Sequence, residues 1–205
     1  MKQQFIETIC LKNGSFQALH WHQARLNRVF AEVFPDAKSF DLVEILTQNP
    51  CTLTAENATD RIRCRVLYDR DTVSVSYFPY HIRPVSSLML VEANAIDYHL
   101  KFADRSALDT LFAKRAHCDD VLIVKDGLVT DTSIGNVALY DGERWFTPSK
   151  PLLRGTKRAQ LLANGLLQER EITKIDLYSY KYISVINAMI DLEEIVFEPY
   201  THIKG

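Results

Sequence analysis

The chain has 205 residues, 47% of them hydrophobic, and a formal net charge of −2. That is enough apolar material for one large domain or two small ones, and the charge asks for neither nucleic acid nor an anionic membrane as partner. The apolar runs fall far short of a bilayer span, and "MKQQFIETICLKNG" lacks the apolar core of a signal peptide, so a cytoplasmic protein is expected.

The first strand is "FIETICL", turned by "KNG". "LHWHQARLNRVFAEVF" then reads as a helix, with His22, Leu26, Val29 or Phe30, and Val33 on one stripe and Pro35 ending it. "SFDLVEILTQ" is a second helix. "RIRCRVLYD" and "TVSVSYFPY" alternate apolar and polar residues about a "DRD" turn and form a hairpin. "SLMLVEA" is a further strand. The texture changes after Pro84. "DRSALDTLFAKRAH" is helical, followed by short strands in "VLIV", "LVTD", "NVALY" and "RWFTP". A helix is predicted over "GTKRAQLLANGLLQER", then strands in "YISVINAMI" and "EEIVFEP". The pattern predicts an α+β (α/β) protein of two units. A small N-terminal α/β domain spans residues 1–84, and a larger domain, a strongly bent sheet or barrel with outer helices, spans residues 85–205. The four cysteines, Cys10, Cys51, Cys64 and Cys118, form no C-x-x-C pair and no zinc-spaced cluster, so free thiols and no metal are expected.

Five features bear on chemistry. Asp131, in "LVTDTSIGN", plants an acid between apolar runs of a sheet. Taken alone, such an aspartate is more often a turn residue or a helix cap. Lys101, in "DYHLKFADR", lies where a strand gives way to a helix, and a lone lysine is usually a solvated one. His22 and Arg25, spaced i, i+3, are neighbours on a helix surface and offer two anion contacts, or are simply exposed. In "PLLRGTKRAQLL", Gly155 and Thr156 open a helix, and first-turn N–H groups with the helix dipole make an anion site or only a helix start. Arg61, Arg63 and Arg65 alternate on one strand and so share a face. That face is either solvated, with acids opposite, or a wall that grips a carboxylate through bidentate guanidinium forks.

The ordered set "FIETI…NG", His-x-x-Arg-Leu at 22–26, Lys-x-x-x-Arg at 101–105, "DDVLIVKDGLVTDTSIGN", "WFTP", "LLRGTKR" and "NAM" at 187–189 resembles the class IV aminotransferases. These are the fold-type IV pyridoxal-phosphate enzymes, among them the D-amino-acid and branched-chain aminotransferases and 4-amino-4-deoxychorismate lyase. The resemblance runs over nearly the whole chain, is most specific from Asp119 to Arg158, and is closest to the lyase branch at "INAM". It implies a two-domain fold like that of D-amino-acid aminotransferase, with pyridoxal 5'-phosphate as cofactor. It implies that Lys101 carries the cofactor as an imine and then moves protons, which requires a neutral amine and hence a lowered lysine pKa. Asp131 takes the place of an acid, usually Glu, that keeps the pyridine nitrogen protonated. Arg25, Gly155, Thr156 and Lys157 match the phosphate site, and Asn187 and Ala188 a loop beside it. His22, Arg61 and Arg63 are candidate substrate contacts, and Arg105 is expected to support the Lys101 region. Ile6 stands where some aminotransferases carry a tyrosine. The preceding Gly-rich segment of many members has no counterpart before "ETI".

The expected activity is elimination of pyruvate from aminodeoxychorismate to give 4-aminobenzoate, a step of folate biosynthesis. An aminotransferase of D-amino or branched-chain amino acids is the alternative, and a non-catalytic pyridoxal-phosphate-binding protein a third. The family's site is closed by a neighbouring subunit, which implies a homodimer, and Trp21, Tyr80 and Trp145 are aromatic residues available to such an interface.

Overall fold

The computed structural model describes residues 3–53 and 61–205. The chain divides into two compact units, Met1–Ile82 with Leu100–Asp104, and Arg83–His99 with Arg105–Gly205. The short segment around Lys101 therefore packs with the first unit although it follows residue 85 in the chain.

The first unit is an antiparallel sheet in the order β2-β1-β3-β4, built from β1 (Phe5–Lys12), β2 (Ser15–Phe16), β3 (Ile62–Tyr68) and β4 (Val73–Pro79). Two helices, α1 (Leu19–Val33) and α2 (Leu42–Gln48), follow β2 in the chain. Strand alternation puts Phe5, Glu7 and Ile9 on one face, opposite Tyr68, Val66 and Cys64 of β3. Leu26, Val29 and Phe30 of α1 and Leu42 and Leu46 of α2 close over that face to make the core. Each such large side chain taken fully out of water contributes roughly 1.5–3 kcal/mol. Helix α1 buries His22 and Arg25 with its apolar stripe, so its polar residues are drawn into the core rather than left on the surface. It stops at Val33, because Phe34 precedes Pro35 and leaves helical geometry, at φ −131° and ψ 55°. Asp41 caps α2, its Oδ1 accepting from the N–H of Val43 at 2.8 Å and of Glu44 at 3.2 Å, a contact worth about 1 kcal/mol. The segment around Lys101 runs beside β1. The Ile6 N–H donates to the Lys101 carbonyl at 3.0 Å and the Ala103 N–H to the Gln4 carbonyl at 2.8 Å.

The second unit is built on a long, mixed sheet. β5 (Leu88–Glu92) pairs in parallel with β6 (Asp120–Lys125), the crossover carrying α3 (Ser106–Phe112). β6 turns through Asp126 and Gly127, both at positive φ, into β7 (Leu128–Thr132), the left-handed pair that a tight hairpin needs. β7 meets β8 (Asn136–Tyr140) through Asp131 and Asn136. β8 then pairs with both β9 (Trp145–Pro148) and β11 (Tyr182–Ile186). α4 (Thr156–Ala163) and β10 (Gln168–Arg170) lie between those two in sequence, and β12 (Val196–Phe197), α5 (Pro199–His202) and β13 (Ile203–Lys204) follow them. The helix predicted over "GTKRAQLLANGLLQER" is thus cut in half. It ends at Ala163, Gly165 takes φ 71°, and the remainder becomes β10, parallel to β9. The periodicity carried Leu161 and Leu162 into Leu166 and Leu167 without a break, but a glycine in the left-handed conformation closes a helix. Among the described residues no helix is long and apolar enough to cross a membrane. No group of three or more His, Cys, Asp or Glu there is placed to hold a metal ion.

Candidate functional site

In the first unit, chemistry collects at β1 and α1. Glu7 is wholly buried, on the face of β1 that the helices cover. Arg25 grips it with both edge nitrogens, Nε donating to Oε1 at 2.8 Å and Nη2 to Oε2 at 2.5 Å. His22 Nδ1 lies 2.5 Å from the same Oε2. Burial works against the Glu7 carboxylate, yet the Arg25 guanidinium and the His22 and Arg25 hydrogen bonds outweigh it and hold the group at about 2. An ionised carboxylate only accepts, so His22 carries its proton on Nδ1 and donates. Burial pushes the His22 pKa below its usual value, against the pull of Glu7 and with the help of the positive charges of Arg25 and Lys101. His22 and Arg25 are therefore drawn together around an acid, with Lys101 close enough for its charge to act on His22. That acid is the glutamate of "FIETI", to which the family resemblance assigns no role. The signal was there: a charged residue at a core-facing register position of a strand.

In the second unit a second carboxylate is buried. Asp131 is 5% exposed on β7. Its Oδ1 accepts from Asn136 Nδ2 at 2.8 Å and its Oδ2 from the Leu153 N–H at 2.9 Å. Burial raises its pKa to about 7, and these two hydrogen bonds and the Arg158 charge counter it only in part. Asn136 Nδ2 also donates to the Leu153 carbonyl at 2.8 Å, tying the acid to the segment that leads into α4. Gly155 is the N-cap of α4 and supplies no capping side chain. A Cβ there would collide with Asn136 Oδ1, so glycine is needed for the close approach. Thr156 is buried beside it, and Lys157 pairs through Nζ with Asp191. Asn187 donates from Nδ2 to the Ile134 carbonyl at 3.1 Å and accepts from the Met189 N–H at 2.8 Å. That pins the loop carrying Ala188 to the β7–β8 turn. Asp131, Gly155, Thr156, Lys157, Asn187 and Ala188 thus gather in one unit, with Asn136 as a bridging residue that the sequence pattern alone does not mark.

Gly155→Ala is expected to push Asn136 away from Asp131 and Leu153 and to destabilise the protein by about 1–3 kcal/mol, the range for overpacking. Thermal melts check this. In an Asn136→Ala background the same change should cost much less, because the obstructing oxygen is gone. An equal loss in both backgrounds would show that Asn136 is not what requires the glycine.

The arginines fall out differently. Arg63 pairs in register with Cys10 and Phe78, and Arg65 with Thr8 and Ser76, so both share the sheet face opposite α1 and α2. Arg63 lies over the Phe78 ring at 5.0 Å, and its buried Nε has no hydrogen-bond partner among the described residues. Arg61 precedes β3, and its carbonyl accepts from the Tyr80 N–H at 3.0 Å. Arg105 was expected to brace the Lys101 region. It belongs to the second unit and donates from Nη2 to the Ser133 carbonyl at 3.0 Å, bracing the turn after Asp131. All four cysteines are free thiols.

The second unit carries an acid buried on a mixed sheet with a glycine-opened helix following it, and the first an arginine–carboxylate cluster, features of a fold-type IV cofactor enzyme. Residues 4–195 match the family described as Amino-transferase class IV, and the chain belongs to that family. It is 40% identical over 185 residues to an uncharacterized protein of Haemophilus influenzae, covering 89% of this chain and 96% of that one. The crystal structure of a candidate 4-amino-4-deoxychorismate lyase from Haemophilus somnus superposes with a TM-score of 0.87 at 35% identity, over 94% of this chain and 99% of that one. A hypothetical aminotransferase from Mycobacterium tuberculosis in its PLP-bound form shares the fold, with a TM-score of 0.75 at 21% identity, over 94% of this chain and 80% of that one. The family is pyridoxal-phosphate-dependent, and this chain is an enzyme of that kind.

Proposed function

We propose that the protein is a pyridoxal-phosphate-dependent lyase that releases pyruvate from aminodeoxychorismate and leaves 4-aminobenzoate. The observation that carries the cofactor assignment is Asp131. Burial disfavours its charge, two hydrogen bonds do not make up the difference, and a cationic ring nitrogen is the partner that would. The glycine-opened first turn of α4 suits a phosphate, with N–H groups and the helix dipole directed at it. When bound, the cofactor supplies an electron sink for the carbanion at the carbon bearing the amino nitrogen. The chain's own residues do the rest. Lys101 is the residue that would hold the cofactor covalently, and its amine, once free, would move a proton from the carbon bearing the nitrogen. Asp131 would keep the ring nitrogen protonated. Asn136 and the Leu153 N–H fix the Asp131 carboxylate, and Arg25 of the first unit and Gly155, Thr156 and Lys157 of the second are the residues that would hold the phosphate. Asn187 and Ala188 form the loop beside it.

The lyase reading is supported by "INAM" and by the candidate lyase that aligns over 94% of the chain. Its substrate carries carboxylates, and Arg63, whose buried Nε has no hydrogen-bond partner among the described residues, suits one of them. Arg63→Gln is expected to raise KM for aminodeoxychorismate about tenfold, the equivalent of a charge-assisted hydrogen bond, with a smaller change in kcat. An unchanged KM would remove Arg63 from the substrate site.

The deciding experiment incubates purified protein and pyridoxal phosphate with aminodeoxychorismate and follows pyruvate and 4-aminobenzoate together. Equal amounts of both establish the lyase. Keto-acid-dependent amino transfer without 4-aminobenzoate would replace it by the aminotransferase, and a bound cofactor with neither reaction would leave a non-catalytic binder. The enzyme is proposed to be a homodimer, which sedimentation of the same sample checks.

A further inference from the structure

Arg25 and Glu7 are buried together, and burying an ion pair is a poor way to gain stability. Removing two charges from water costs several kcal/mol per ion, and apolar residues of the same size often do as well. The neighbouring face positions of β1 are Phe5 and Ile9, so an apolar side chain at position 7 would fit the pattern of the core. What the pair supplies instead is direction. A guanidinium held only by its methylene stem has a wide choice of orientations. One held at Nε and Nη2 by both oxygens of a single carboxylate has one. His22 completes the arrangement from the same helix, three residues earlier. Its Nδ1–H fixes the oxygen that also receives Nη2, so the carboxylate cannot rotate without breaking bonds to both partners.

We propose that Glu7 and His22 are positioning residues that aim the Arg25 guanidinium for an anionic phosphate, Glu7 by gripping its Nε–Nη2 edge and His22 by locking Glu7. This rests on the reading above that Arg25 serves the cofactor phosphate. It adds that the phosphate site is a three-residue device of β1 and α1 rather than one arginine. Glu7 touches no reacting atom in this scheme. It acts through Arg25, and its effect must therefore scale with the presence of a phosphate on the ligand.

That condition gives the test. Apo protein is titrated with pyridoxal 5'-phosphate and, separately, with pyridoxal, which has the aldehyde and ring but no phosphate, following visible absorbance. Wild type should bind the phosphorylated form more tightly by a measurable ratio. In Glu7→Gln, which keeps the shape and loses the charge and one acceptor, the Kd for pyridoxal phosphate should rise roughly tenfold or more while that for pyridoxal stays within about twofold. His22→Gln, which leaves the Glu7–Arg25 pair whole, should shift the ratio in the same direction by a smaller factor. It carries the comparison alone if Glu7→Gln does not fold. Glu7→Asp should recover part of the ratio. An unaltered ratio in folded Glu7→Gln or His22→Gln, whether both ligands weaken together or neither does, overturns the proposal and leaves the cluster a structural one. Failure of wild type to bind either ligand would overturn the cofactor reading itself, which is a different outcome.

Discussion

Lys101→Ala is expected to abolish turnover while leaving the fold intact. The lysine is asked to do two things in the proposed reaction, to hold the cofactor and to move a proton. The second alone is worth about 10²–10⁴-fold in rate, so a loss of that size is the minimum. The backbone of residue 101 carries a bond that any residue can make, its carbonyl accepting the Ile6 N–H at 3.0 Å. Alanine keeps that bond, so the variant should still fold, with a stability change in the ordinary range of about 0.5–3 kcal/mol. The measurement is a pair: steady-state rate, and a visible absorption band with pyridoxal phosphate that borohydride fixes in wild type and not in the variant. A third readout follows from electrostatics. In the cofactor-free protein the Lys101 charge helps to keep His22 neutral, so its removal there should move the His22 pKa upward in an NMR titration. A variant that still turns over at the wild-type rate would take Lys101 out of the chemistry.

The two carboxylates show why one site was readable in the chain and one was not. Asp131 betrayed itself through its neighbours: an acid between "VLIV" and "NVALY" has no reason to be in a sheet unless something charged is brought to it. The strands that carry it were legible from alternation and turn residues, because period-2 patterning and the "KDG" turn are local properties. Glu7 lay in an equally clean strand, but no count of residues predicts that Arg25, 18 positions on, turns inward from an exposed-looking helix to meet it. The burial of Arg25 and His22 is tertiary, decided by which face of α1 the sheet accepts. Asn136 was hidden for the same reason. It joins Asp131 to Leu153 across a 17-residue separation, and only folding brings the segment before α4 back to β8. The failed half of the predicted helix has a local cause instead. Gly165 reads as tolerable inside a helix until its φ of 71° is known.

Asp131→Asn is expected to reverse the pH dependence of the unliganded protein's stability and to cost about 10²-fold or more in turnover, the order seen when a preorganised charge partner is removed. The sign follows from the shift. Asp131 ionises near 3.8 in an unfolded chain and at about 7 in the fold, so between those values the native state holds the extra proton. Its contribution is fully present below about pH 4 and is lost as pH rises through about 7. That is a difference of roughly three pKa units, on the order of 4 kcal/mol. His22 acts in the opposite direction. Burial lowers its pKa from 6.5, so the native state holds fewer protons and stability is lost as pH falls below that value. In wild type the two partly cancel. Asparagine at 131 cannot titrate, and thermal melts from pH 4.5 to 8.5 should then rise with pH through the His22 window. The variant should be less stable than wild type at acid pH, because the amide cannot accept from both Asn136 and Leu153. It should be more stable at pH 8, where wild type carries a buried charge. Pyridoxal phosphate should flatten the acid-to-neutral fall of wild type, since a cation beside the carboxylate favours its ionised form, and should leave the slope of the variant unchanged. If wild type and Asp131→Asn melt with parallel pH profiles, Asp131 is already ionised without a partner, and its burial is not what prepares it for a ring cation.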